Sequence, residues 1–195
     1  MELLSIASGS SGNCYYIGNE ETHLLVDAGV SGKKIETALN EIDRKPSDLN
    51  GILVTHEHID HVKGLGVMAR KHGIPIYTTG GTISEIKKMS SVGTIDDSLF
   101  HEIEPDEPFF INDLSIDASA IWHDAADPVC YSISDGKSKF SIATDMGNFD
   151  DYVVNKLKNS DIMVIEANHD IRMLQAGPYP YYLKQRILGN RGHLS

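Results

Sequence analysis

Thr55-His56-Glu57-His58-Ile59-Asp60-His61 follows directly on the apolar run Gly51-Ile52-Leu53-Val54. A short apolar run with polar flanks reads as a buried strand, here predicted over Gly51–Thr55. Where the chain is still extended, His56 and His58 point to one side. The chain then turns into a helix predicted over Asp60–Lys71, with Asp60 as its N-cap, so Asp60 and His61 face the same space. Three imidazoles and a carboxylate within six residues make a borderline-soft donor set for zinc, manganese or iron. Imidazole nitrogens bind such ions at about 2.0–2.1 Å, so donors this close in sequence can share one small centre. A solvated loop is the plainer reading of a single histidine, but it accounts poorly for a cluster at the end of a buried strand.

Working outward, strands are predicted at Glu2–Ala7, Cys14–Ile17 and His23–Asp27. The loop Ser8-Gly9-Ser10-Ser11-Gly12-Asn13 has two readings. Its backbone N–H groups and Asn13 could face a phosphate at the mouth of a site, or it could simply join two strands. It lacks the Gly-Lys-Ser/Thr that completes a P-loop. Ile35, Ala38, Leu39 and Ile42 recur at helical spacing within Ser31–Ile42. Further on come a strand at Ile76–Thr78 and a helix at Thr82–Met89. Strands follow at Leu114–Ile121, Val129–Ser134 and Phe140–Ala143, with Asp135-Gly136 as a hairpin turn between the last two. A helix at Asp151–Leu157, a strand at Ile162–Glu166 and a helix at Tyr179–Leu188 complete the chain. Strands and helices alternate in both halves, which favours α/β layers.

The 195 residues suit one domain, 1–195. With 28 acidic and 17 basic residues the net charge is −11, which argues against binding nucleic acid through bulk charge but leaves room for a local groove or bound cations. No apolar run approaches the roughly 20 residues of a membrane span, so no membrane association is expected. The first residues lack a basic leader, and Cys14 and Cys130 form no CxxC pair. Both points fit a reduced, cytoplasmic protein, with the two cysteines as small core residues. Residues 171–195 contain Arg172, Lys184, Arg186 and Arg191 and no acidic residue, with Tyr179, Tyr181 and Tyr182 among them. Composition alone favours a helix packed on the core, although charge beside aromatic faces also suits a single nucleic-acid strand. Oligomeric state leaves no mark in the sequence.

His56-x-His58-x-Asp60-His61 resembles the signature of the metallo-β-lactamase-fold hydrolases. Asp27 at the end of a strand, His123 after the strand Leu114–Ile121, and Asp145 in Ser141-Ile142-Ala143-Thr144-Asp145-Met146-Gly147 match further motifs in the same order. The Gly/Ser loop, Trp122-His123-Asp124-Ala125-Ala126-Asp127-Pro128, Glu166-Ala167-Asn168-His169-Asp170 and Tyr179-Pro180-Tyr181-Tyr182-Leu183-Lys184-Gln185-Arg186 resemble the YycJ/WalJ-like branch. The resemblance covers nearly the whole chain. It implies a four-layer αβ/βα sandwich with the site at the strand edges.

It also implies two divalent ions, zinc or manganese, with iron as a further choice. One would take His56, His58 and His123, the other Asp60 and His61, with Asp145 between them. Asp27 would orient a ligand histidine, Asp60 would steer the nucleophile or handle its proton, and Asn13 and His169 would contact substrate. Relatives supply one more late histidine after a further strand. No clear late strand is found here, so either the chain is a member lacking its last elements, which is the favoured reading, or His193 or His169 serves instead. The implied function is a metal-dependent phosphodiester hydrolase, a 5′-to-3′ exonuclease on DNA or RNA, in which a metal-held hydroxide attacks phosphorus. The alternatives are a thioester or lactone hydrolase of the same fold, and a metal-binding remnant without full activity.

Overall fold

The computed structural model describes all 195 residues. Strands β1 (Glu2–Ala7), β2 (Cys14–Gly18), β3 (His23–Val26), β4 (Gly51–Leu53), β5 (Ile76–Thr78) and β6 (Phe100–Glu102) form one sheet in chain order. β1 to β3 pair antiparallel, and β3 to β6 pair parallel. The second sheet runs β11 (Ile162–Ile165), β10 (Lys139–Ala143), β9 (Val129–Ser134), β8 (Leu114–Ala120), β7 (Phe109–Ile111). Only its β10–β11 pair is parallel. The β9–β10 turn is set by Asp135, whose Oδ1 accepts from Lys137 and Ser138 N–H, and by Gly136 at φ 81°.

The strand period of two decides which core each residue joins. Tyr15, Ile17, Leu24 and Val26 face Ile116, Ala118, Tyr131 and Ile142 of the other sheet. Tyr16, Leu25 and Ile52, one residue out of step, pack under the helices α1 (Gly32–Glu41), α3 (Leu65–His72) and α4 (Gly80–Lys88). Strands covered on both faces read as unbroken apolar runs, as β2 and β3 do. On the far side of the second sheet, Cys130, Ala143 and Met146 pack against Val153 and Leu157 of α5 (Asp151–Leu157). Helix, sheet, sheet and helix make the four layers that the sequence predicts. No helix is long and apolar enough to cross a membrane.

The helix predicted over Asp60–Lys71 is two helices, α2 (Ile59–Val62) and α3, and its N-cap is His58 rather than Asp60. The chain stays extended through His58 (φ −59°, ψ 144°), so Asp60 falls in the first turn and its carboxylate is left free. The break falls at Gly64, whose N–H donates to Ala28 O at 2.7 Å. A Cβ there would lie 2.1 Å from Val30 O, so only glycine lets the early loop dock so closely. Short β6 and β7 and the helix α6 (Ile171–Ala176) were not expected from the sequence; α7 (Tyr181–Leu188) was. β11 lies at a sheet edge, with Ile162, Met163 and Ile165 exposed.

Candidate metal centre

Three backbone hydrogen bonds lock the segments that carry the site. Asn13 N–H donates to Asp60 O (2.7 Å), Gly29 N–H to Asn13 O (2.8 Å) and Ala28 N–H to His61 O (2.8 Å). A Cβ on Gly29 would stand 1.7 Å from Asp60 O, so this crossing admits no side chain. Asp27 and Asp145 follow inner strands of opposite sheets, and both take left-handed backbone (φ 61° and 55°). Left-handed backbone in a non-glycine residue is costly and survives where surrounding structure fixes it, often at functional sites.

His56, His58 and His123 converge. His56 Nε2 lies 3.1 Å from His58 Nδ1, and His123 Nε2 lies 3.2 Å from the same atom. Donors bound tetrahedrally at 2.0–2.1 Å stand about 3.3 Å apart, so these nitrogens are spaced as ligands of one ion are. The outer ring nitrogens are already held: His56 Nδ1 by Thr55 Oγ1 at 3.0 Å, and His123 Nδ1 by Gly192 O at 3.2 Å. Partners on the outer nitrogen fix a ring's orientation toward a metal. Burial, with the neighbouring His61 charge, drives the His56 pKa well below its ordinary value, and burial pushes His123 down to about 4. Both rings are therefore neutral at pH 7, the form that binds metal.

His61 lies between the sheets. Its Nδ1 donates to Asp27 Oδ2 at 2.8 Å, and its Nε2 lies 2.5 Å from Asp145 Oδ2. Asp27 also accepts from Thr55 N–H (2.8 Å) and Thr55 Oγ1. Burial alone would lower the His61 pKa, but the Asp27 and Asp145 carboxylates overcome it and push the value up to about 10. Asp145 Oδ2 is also 3.6 Å from His56 Nε2, so one carboxylate reaches both halves of the cluster. Burial opposes its ionisation, but hydrogen bonds from His193 and His61 hold its carboxyl well below the usual range.

His193, which the sequence leaves as a stand-in, is brought into the cluster. Its Nδ1 donates to Glu166 Oε1 at 2.6 Å and lies 3.4 Å from Asp145 Oδ1. These two carboxylates push its pKa up to about 9. The late ligand thought to be missing thus has a candidate, with Glu166 beside it. His56, His58 and His123 form one donor group, His56, His61 and Asp145 a second, and Asp145, Glu166 and His193 a third. The donor set fits a divalent metal, and the chain carries the metal-binding groups of such a centre.

These groups border a cavity of about 300 Å³. Its walls include Ser8, Gly9, Ser10, Asn13, Asp60 and Asn168. Asp60 is 30% exposed, with Oδ2 3.8 Å from His61 Nε2. Asn13 Nδ2 sits 3.0 Å from the same nitrogen, and its Oδ1 accepts from Gly9 N–H. His169 is not part of the wall; its ring nitrogens are enclosed without a hydrogen-bond partner in the protein.

The beta-lactamase superfamily domain model matches residues 22–194. The exodeoxyribonuclease WalJ of Streptococcus pneumoniae is 43% identical over 190 residues, covering 97% of this chain and 71% of that protein. The exodeoxyribonuclease YycJ of Bacillus anthracis is 38% identical over 189 residues, with the same coverage. Among solved structures, the short form of human tRNase Z superposes with a TM-score of 0.71 at 19% identity, over 90% of this chain and 81% of that one. A likeness at that identity speaks for the fold, the metallo-β-lactamase sandwich. The chain belongs to the beta-lactamase superfamily, with the WalJ and YycJ exodeoxyribonucleases among its relatives.

Proposed function

We propose that this chain is a metal-dependent exonuclease that cleaves phosphodiester bonds of DNA from a strand end. The observation that carries this reading is the reach of Asp145, whose Oδ2 lies 2.5 Å from His61 Nε2 and 3.6 Å from His56 Nε2. That placement supports a pair of ions, zinc or manganese. His56, His58 and His123 would hold one, Asp60, His61 and His193 the other, and Asp145 both. When bound, such ions supply Lewis acidity and lower the pKa of water from 15.7 to about 7.

The chain's own groups do the rest. Asp27 and Thr55 fix the His61 and His56 rings. Asp60, partly exposed at the cavity wall, orients the attacking water and takes its proton. Asn13 Nδ2 and the Ser8–Ser10 loop offer donors to the phosphoryl oxygens. The P–O bond to the leaving nucleotide breaks as the water oxygen joins phosphorus. The exodeoxyribonuclease relatives support DNA as the substrate. The cavity wall is mostly polar, whereas a thioester or lactone enzyme needs an enclosed apolar pocket. The reading includes a cytoplasmic setting, supported by the buried, unpaired Cys14 and Cys130.

The test is a time course on linear and covalently closed circular DNA, end-labelled where linear, with zinc or manganese. Progressive loss from one end of the linear strand, with circles intact and His58→Ala inactive, is expected. Hydrolysis of a thioester or lactone, with linear DNA untouched by the metal-loaded protein, would overturn the reading.

A further inference from the structure

We infer that Arg186, held by Asp124, is the positioning cation of this site and grips a backbone phosphate next to the one attacked. The inference rests on the nuclease reading above. Arg186 is the only lysine or arginine in the cavity wall, where Asp60, Asp145 and Glu166 supply three carboxylates. A nucleic-acid strand brings one negative charge per nucleotide to this wall. The metals answer the charge at the reacting phosphate, and the neighbouring phosphate needs a cation of its own.

Arg186 is built for that task. Its Nε donates to Asp124 Oδ2 at 2.5 Å and its Nη2 to Asp124 Oδ1 at 3.1 Å. This two-point grip fixes the guanidinium plane and leaves Nη1 and the outer N–H of Nη2 as donors. The side chain is 50% exposed, so those donors are open to a ligand. Arginine's rigid fork suits phosphate better than a lysine point charge does. Asp124 follows the candidate ligand His123, and its Oδ1 lies 3.5 Å from His123 Nε2. The guanidinium is therefore tied, through Asp124, to the edge of the metal cluster while it lines the same cavity.

The other basic residues of this tail are placed differently. Lys184 Nζ donates to Gln175 O at 2.7 Å, a bond that ties α7 back to α6. None of Arg172, Lys184 and Arg191 reaches the cavity wall. Of the charges that the sequence groups together, one alone is aimed at the site.

The experiment pairs binding with turnover. Anisotropy of a fluorescein-labelled phosphorothioate single-stranded oligonucleotide, which resists cleavage, is read with the metal-loaded protein across a salt series, for the unchanged chain, Arg186→Ala, Arg186→Lys and Lys184→Ala. Arg186→Ala is expected to weaken binding about tenfold and to lower the slope of log K against log salt by about 0.7, the loss of one single-strand phosphate contact. On linear DNA with metal its KM should rise more than its kcat falls. Arg186→Lys should restore the salt slope but only part of the affinity. Lys184→Ala should change affinity less than Arg186→Ala. Thermal melts confirm that each variant folds. If the parent chain degrades DNA and Arg186→Ala keeps its KM and salt slope, the anchor is wrong and the nuclease reading stands. If the parent degrades no DNA, the nuclease reading fails, and the binding series still decides the anchor. A parent chain that binds no oligonucleotide overturns the anchor as well.

Discussion

Asp27 Oδ2 accepts a hydrogen bond from His61 Nδ1 at 2.8 Å, and both side chains are fully buried. Asp27 directly follows β3, an inner strand of the first sheet. The other ring nitrogen of His61 meets Asp145 from the second sheet. One imidazole thus bridges carboxylates from the two halves. Asp27→Asn keeps the shape and removes the charge that orients the ring. Loss of such a partner costs about 10–100-fold in metal affinity. Competition against a chromophoric zinc chelator measures it, and unchanged affinity would contradict the orienting role.

Metal loading should release protons at neutral pH. His61 and His193 have folded, metal-free pKa values of about 10 and about 9, above the ordinary histidine value near 6.5. Their pairing with carboxylates is fully present below pH 6.5 and is lost as pH rises through 9 and then 10. Metal must displace their protons, while His56 and His123 are already neutral. Titration calorimetry at about pH 7.5 in buffers of different ionisation enthalpy should therefore show release, and apparent affinity should climb toward pH 10. Identical heats in all buffers would refute the split between the two pairs of rings.

Gly29→Ala should damage both stability and site. Its Cβ would enter the space of Asp60 O, where the Asn13, Gly29 and Asp60 segments cross. Overpacking of this kind costs about 1–3 kcal/mol, and for a chain of this size each kcal/mol lowers Tm by about 2–4 °C. A thermal melt together with metal content checks it. A variant with the parent's Tm and metal content would mean that the crossing yields easily.

If the site holds the proposed pair of ions, His193→Ala should take the metal content per chain, read by elemental mass spectrometry, from two to about one. It should also lower the metal-free melt at neutral pH, where the pairing with Glu166 and Asp145 is lost. Asp60→Ala should lower turnover and second-ion content together. Two ions retained in His193→Ala would remove that residue from the ligand set, and full activity in Asp60→Ala would remove its catalytic role.

Much of this was legible in the sequence because the signals were local. The β4 strand, the histidine run after it and the Asp135-Gly136 turn each sit within a few residues. The Asp60 cap was misjudged because the helix starts two residues earlier, with His58 as its N-cap and Asp60 already in the first turn. β6 and β7, three residues each, are too short to show an alternation. His193 could be named in the sequence only as one of two alternatives, beside His169, because no strand precedes it. Here a turn after α7 returns the chain, with His193 N–H donating to Ile187 O at 2.9 Å. The glycines at 189 and 192 were the available signal. A Cβ on Gly192 would stand 2.2 Å from Arg186 O, so this return, like the crossing at Gly29, admits no side chain.

The spread of donors along the chain has one more consequence. They run from position 56 to position 193, and from both sheets, in a protein whose two cysteines are unpaired. The pair of ions shared among them would close loops of nearly the whole chain length and act as a reversible cross-link where no covalent one exists. Chelation should therefore untie the rim first and leave the sandwiched strands intact. In hydrogen exchange, amides near residues 144–147 and 189–194 would lose protection well before those of β2, β3 and β9.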